Sequence, residues 1–289
     1  MKLKGFLLAL LLVIGLGFYS KDMFFRIKFV YLLAGALAFL FSTFLWFVSW
    51  ERVMGRKVGL RVFFSSLKGF ILPAGIGVDL SRAQELRKRK LSASEAIGSA
   101  MVTRFFKAFI MIFFLLVSVS ILAFKSSDFK TNSLFFILTT FFSLLLIIAF
   151  VLFLLLPFGK AFERFSWFFK LRTACIKTVH QLNFGNGFKV FLLLLASAFF
   201  EFLAVWFCLL SVSQPLLLDH VLILGSVMHS FSLVPITPQG IGFVEASGAL
   251  VMSMGFFSVQ KKIIALFLIN WSIIRMWVPA IIGMLFTRD

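Results

Sequence analysis

Apolar residues run along this chain in stretches of about twenty, separated by short clusters of Lys, Arg and small polar residues. A helix needs about 20 apolar residues, at a rise of 1.5 Å each, to cross about 30 Å of hydrocarbon. Six stretches meet or approach that length: 5–19 (short), 29–50, 102–124, 134–156, 190–212 and 263–286. The third helix is expected to begin earlier, near Ala93. Ser92-Ala-Ser-Glu95 has the form of a capping box, with Ser followed by Glu three residues on. Lys2 and Lys4 before the first apolar run resemble a signal peptide. No small-residue cleavage site follows, so the pattern predicts an uncleaved first span.

Two further apolar segments, 63–80 and 221–254, are interrupted by proline and glycine. Each begins and ends beside loops assigned to one and the same side. Non-helical backbone in lipid strands polar groups at several kcal/mol each unless protein or water covers it. The pattern therefore predicts two re-entrant broken hairpins facing a central cavity. Their breaks are alike: Pro73-Ala-Gly75-Ile-Gly77-Val-Asp79 in one, Pro238-Gln-Gly240-Ile-Gly242-Phe-Val-Glu245 in the other. Two spans precede each hairpin in its half and one follows it. Three crossings per half invert the second half relative to the first. The expected architecture is an all-α integral membrane protein of about six transmembrane helices plus two re-entrant hairpins. It forms one membrane domain, 1–289, with inverted-repeat halves at approximately 1–124 and 130–289.

Composition sharpens the class. Of 289 residues, 61% are hydrophobic and 14% charged, too few polar groups to cover a soluble globule. The net charge of +18 would suggest nucleic acid in a soluble protein. Here its distribution points to the membrane instead. Residues 51–101 hold ten Lys and Arg and residues 159–189 six, against seven in all the loops of the opposite side. The positive-inside rule then places both termini in the cytoplasm and the protein in the plasma (inner) membrane. The Arg87–Lys90 run reads as a solvated face touching headgroups. Cys175 falls in a basic loop and Cys208 in an apolar span, so no disulfide is expected. The three histidines lack metal-ligand spacing, and no nucleotide-binding or nucleophile-elbow motif occurs. Neither metal nor cofactor is expected, and catalytic residues are assigned to none.

Charges within apolar segments are costly and mark pathways or ion pairs. The candidates are Asp79, Arg82, Arg104, Glu201, Glu245 and Arg275. Asp79 and Arg82 are three apart and can pair on one helix face. Arg275, at mid-span, needs an anionic partner, for which Glu245 is the choice. Glu201 reads equally as a proton carrier or as a satisfied structural group. His229 is expected to pack or hydrogen-bond, and Lys107 to snorkel toward the interface. A half-helix starting within the bilayer presents free N–H groups and the positive end of its dipole, which favour phosphates. Thr237-Pro238 has the form of an N-cap followed by proline at the first helical position.

The stretch Val234-Pro-Ile-Thr-Pro238-Gln-Gly240-Ile-Gly242-Phe-Val-Glu245-Ala resembles the signature of the membrane region of lysylphosphatidylglycerol synthases, a family that also contains stand-alone flippase-like proteins. Leu72–Arg82 with Arg104 is similar to the family's other motif, and Arg275-Met-Trp-Val-Pro279 to its last span. Where relatives often carry Glu-Arg, this chain has Thr103-Arg104. The resemblance implies movement of a lipid between leaflets. In fused synthases a separate soluble domain makes the aminoacylated lipid, and no such domain is expected here. The implied lipid-binding set is Pro73, Gly75, Gly77, Asp79, Arg82, Arg104, Thr237, Pro238, Gly240, Gly242, Glu245 and Arg275. The expected partners are membrane lipids with an anionic phospholipid or polyprenyl-phosphate headgroup, and not nucleic acid. Two other readings remain open: a membrane-embedded glycosyltransferase or other lipid-modifying enzyme, and a non-catalytic subunit that engages a partner enzyme through the basic loops at 51–61 and 159–189.

Overall fold

A computed structural model describes residues 27–71, 77–88, 92–125, 129–155, 166–232, 242–254, 257 and 259–287. Among these residues all regular structure is helical, with no strand. Helix α1 spans Phe29–Met54 and ends at Gly55, whose φ of 71° lets its N–H turn back to the Arg52 and Glu51 carbonyls. Glu51 then fixes the descent into the next element: one carboxylate oxygen accepts from the Val58 and Gly59 N–H groups at 2.7 and 3.0 Å.

The first interrupted segment is a pair of short limbs. Helix α2 (Leu60–Leu67) runs on as a 3-10 turn, Lys68–Ile71, and α3 (Gly77–Lys88) lies against both. The limbs touch backbone to backbone, because a Cβ at Gly69 would collide with the Gly77 carbonyl. Only glycine permits that approach. Pro73 and Gly75 lie outside the described residues.

Helices α4 (Ala93–Lys125), α5 (Phe129–Leu155), α6 (Ser166–Gln181) and α7 (Phe184–Ser211) follow. The expected start of α4 at Ala93 is met, but not by a capping box. The Ser92 hydroxyl pairs with that of Ser94 at 2.7 Å, and Glu95 reaches Lys177 on α6 at 2.8 Å. Helix α7 has a true cap, since Asn183 Oδ1 accepts from the Asn186 N–H at 2.9 Å. In the second interrupted segment α8 (Leu218–Ser232) packs on α9 (Phe243–Ser253), with Thr237, Pro238 and Gly240 outside the described residues. The chain closes with α10 (Lys261–Ser272), one π-helical turn (Ile273–Trp277) and α11 (Val278–Phe286), stacked end to end.

Four of these units are long and apolar enough to cross a membrane: Phe29–Met54, Ala93–Phe124, Phe184–Ser211 and Lys261–Phe286. Of the expected span 134–156, residues 134–155 fall within α5, which is 27 residues long, and the span at 5–19 lies outside the described residues. The first three units bury 44% of their most apolar window and the last 78%. Lys261–Phe286 is therefore wrapped by protein, while the others turn a face outward. That outer surface is apolar, with Phe41, Phe109, Phe113 and Phe199 among its exposed side chains, as lipid requires and water does not. The chain is a multi-pass helical membrane protein.

The most extensive helix interface joins α1 to α7. At its middle, Ser42 Oγ donates to the Ser197 carbonyl at 2.7 Å while Ser197 Oγ donates to the Ser42 carbonyl at 2.9 Å. Close approach of small residues with reciprocal hydroxyl bonds is how helices adhere without a hydrophobic driving force. The other contacts are crosswise. Helix α8 of the second hairpin packs on α4, and α11 packs on α2 of the first, with Gly283 against the Phe64 carbonyl. Cys175 and Cys208 are both free and buried. Burial pushes the Cys175 thiol, on the basic helix α6, up to about 11.

Candidate functional site

Three buried carboxylates, each on a different helix, organise the centre. Asp79 sits in the first turn of α3, two residues past the break. One of its oxygens stands 3.5 Å from Arg82 Nη1, one turn along the same helix, and the other 2.7 Å from Arg104 Nε on α4. Arg82 is wholly enclosed: its guanidinium lies 4.6 Å from the Trp46 ring and 4.7 Å from the Trp50 ring, both on α1. A planar, weakly hydrated cation between indole faces is a stable arrangement without water. Trp50 is itself anchored by a hydrogen bond from Nε1 to the Ala96 carbonyl, at 3.2 Å. The Thr103 hydroxyl, beside Arg104, is engaged with the Ser99 carbonyl of its own helix at 2.7 Å.

Glu245 occupies the first turn of α9, behind Gly242. Its Oε2 accepts from the Gly242 N–H at 2.7 Å, which satisfies a donor the helix start leaves open. Its Oε1 accepts from the Ser272 hydroxyl at 2.8 Å and faces Arg275 Nη2 at 3.7 Å. Gly242 has φ 87°, a turn conformation that favours glycine. Arg275 owes its position to the π turn. Pro279 has no N–H to return to the Arg275 carbonyl, and the Val278 N–H reaches back to Ile273. Such single wide turns recur at functional sites.

Glu201, on α7, joins three helices. Lys107 on α4 approaches one oxygen at 2.6 Å, and His229 Nδ1 on α8 approaches the other at 3.0 Å. Lys107 thus does not snorkel as expected. It is 7% exposed and turns inward to a carboxylate. His229 forms a hydrogen bond, in line with the sequence reading.

Between these clusters lies a cavity of about 80 Å³, lined among others by Thr43, Trp46, Arg104, Lys107, Glu201, His229, Trp271 and Arg275. It has room for a few water molecules and is well below the roughly 300–1,000 Å³ of a site that encloses a small molecule. Its polar lining is rich in donors. The Nε and Nη2 atoms of Arg275 and the indole nitrogens of Trp46 and Trp271 are buried without a hydrogen-bond partner among the described residues. Four cations (Arg82, Arg104, Lys107 and Arg275) surround three carboxylates (Asp79, Glu201 and Glu245).

Of the candidate residues, Arg104, Arg275 and Glu201 reach this cavity. Asp79, Arg82 and Glu245 stand behind it, and Gly77 and Gly242 open the helices that carry the two hairpin carboxylates. Trp46, Lys107, His229 and Ser272 complete the centre. Trp46 collects Arg82, Arg104 and Lys107 around one ring, at 4.6, 5.4 and 5.8 Å.

Fold and site together define a polytopic helical membrane protein with a buried ionic centre that carries an excess of cationic groups. The chain belongs to the family described as the lysylphosphatidylglycerol synthase TM region, which its residues 6–283 match. It is accordingly a lipid-related membrane protein. Neither curated proteins nor solved structures yielded a match.

Proposed function

We propose that this protein moves an anionic lipid, an acidic phospholipid or a polyprenyl phosphate, between the leaflets of the plasma membrane, with the phosphate passing through the central cavity. One observation carries the reading: Arg275, Trp46 and Trp271, whose side chains line the cavity, hold donors that no described residue hydrogen-bonds, beside an excess of cations. An unsatisfied buried donor costs about 1–3 kcal/mol, more when charged. A phosphate, with several strong acceptor oxygens, removes that cost at several donors together.

The cavity is too small for a headgroup, so passage of one requires the surrounding helices to part. The moving parts are the two hairpins, which re-enter the membrane from opposite sides as members of inverted-repeat halves, 1–124 and 130–289. The reciprocal Ser42–Ser197 contact supports this reading, because mutual i-to-j and j-to-i bonds are the mark of a two-fold relation. So does the crosswise packing, in which each hairpin leans on the last helix of the other half. Both termini are then cytoplasmic.

The test is lipid translocation in proteoliposomes that contain fluorescent phosphatidylglycerol or a short polyprenyl phosphate, with the outer-leaflet dye quenched chemically. Quenching beyond the outer-leaflet share, lost in Arg275→Gln, is the expected result. Protection equal to that of empty vesicles for both lipids contradicts the reading. Conversion of the lipid in detergent, where no leaflets exist, favours a lipid-modifying enzyme instead.

A further inference from the structure

We propose that Glu201 is a built-in stand-in for the phosphate, and that it takes up one proton each time the lipid headgroup enters, which makes transport a lipid–proton symport. This inference rests on the transport reading and adds its coupling.

The three carboxylates of the centre are not equivalent. Glu245 is committed to the fold: one oxygen caps the backbone at Gly242 and the other holds the Ser272 hydroxyl. Asp79 is fixed between Arg82 and Arg104, behind the cavity wall. Glu201 alone of the three lines the cavity. Its two oxygens bind Lys107 Nζ and His229 Nδ1, at 2.6 and 3.0 Å, as two oxygens of a phosphate would. The carboxylate thus occupies the donors an incoming anion needs.

Charge couples the two occupants. The charged and titratable groups that face Glu201 are Arg104 and Lys107 on α4, His229 on α8 and Arg275 on the π turn, while α1 contributes the uncharged Trp46. With Glu201 ionised, Lys107 is already neutralised by it. A phosphodiester entering the same desolvated space would place two anions side by side, and like charges in one low-dielectric site cannot both persist. The carboxylate takes one proton from the aqueous side that is open, and its O–H replaces the ion pair. Lys107 and His229 are released to the phosphate oxygens. On departure the proton leaves Glu201, Lys107 and His229 close on it again, and the empty site is restored. One negative charge and one proton move together, so transport of a phosphodiester lipid carries no net charge.

The experiment uses the full chain in vesicles of phosphatidylcholine with fluorescent phosphatidylglycerol and a trapped pH dye. With the outside made acid, the wild type is expected to drive the probe into the inner leaflet beyond equal distribution and to acidify the lumen in step with it. A potassium diffusion potential should leave the rate unchanged. Glu201→Gln, a fixed likeness of the protonated state, is expected to equilibrate the lipid but neither to concentrate it nor to move protons. His229→Gln, which removes one of the two donors to the phosphate, should slow the lipid while keeping its ratio to protons, because the proton resides on the carboxylate. Lipid movement without lumen acidification in the wild type overturns the inference while leaving transport intact, and that measurement needs no variant to fold. Full gradient-driven accumulation in Glu201→Gln also overturns it. Absence of any movement of the probe overturns both the coupling and transport of this lipid.

Discussion

The two hairpins carry the same sequence device and use it in opposite ways. In the first, Asp79 is held by charge alone, between Arg82 and Arg104, and Arg82 is sealed between Trp46 and Trp50 with no exposed surface. In the second, Glu245 is held by hydrogen bonds to a backbone N–H and a hydroxyl, and its arginine stands off at 3.7 Å. Guanidinium nitrogens lack a hydrogen-bond partner among the described residues in both, three on Arg82 and two on Arg275. What differs is their setting: Arg82 faces indole rings, whereas Arg275 lines the cavity. The repeated motif therefore stands beside two arginines in unlike surroundings, one sealed against indole rings and one at the cavity.

That difference can be broken experimentally. The largest effect is expected for Asp79→Asn, which removes the carboxylate that faces the buried Arg82 guanidinium. The loss should be about 3–5 kcal/mol, read from unfolding in mixed micelles. Glu245→Gln keeps an acceptor for the Gly242 N–H or for Ser272, and should cost about 1–3 kcal/mol by the same measurement. Equal losses in the two variants would erase the distinction.

The arginines should divide the other way. Arg275→Gln is expected to reduce lipid movement by at least about tenfold, the equivalent of one charge-assisted hydrogen bond of about 1.5–3 kcal/mol, with little change in stability. Arg82→Gln should lower stability more than it lowers transport per folded molecule. The smallest effect belongs to Ser272→Ala, which removes one hydrogen bond to Glu245 and should cost about 1 kcal/mol.

Much of this frame is legible in the amino-acid order. The proline- and glycine-bearing apolar runs 63–80 and 221–254 contain limbs that pack on each other in the structure, α2 with α3 and α8 with α9. Residues as costly in lipid as Arg275 and Glu245 also point to each other. Lys107 misleads for a physical reason. It falls six residues into the apolar stretch 102–124, near enough to an end to suggest snorkelling, yet α4 begins at Ala93 and places it mid-helix beside Glu201. Trp46 is invisible in a chain that is 18% aromatic, because nothing local separates a ring that gathers three cations from one that faces lipid. The π turn at Ile273–Trp277 is hinted at only by Pro279, which proline alone does not distinguish from an ordinary kink.

The central claim is that a phosphate headgroup is bound by Arg275 in the cavity between the hairpins. Native mass spectrometry of the protein released from mixed micelles tests it most directly, with phosphatidylglycerol and phosphatidylcholine of identical chains in competition. The account predicts retention of phosphatidylglycerol in preference to phosphatidylcholine by the wild type, with the preference lost in Arg275→Gln and kept in Arg82→Lys. Equal retention of the two lipids by the wild type, or an undiminished preference in Arg275→Gln, would contradict it.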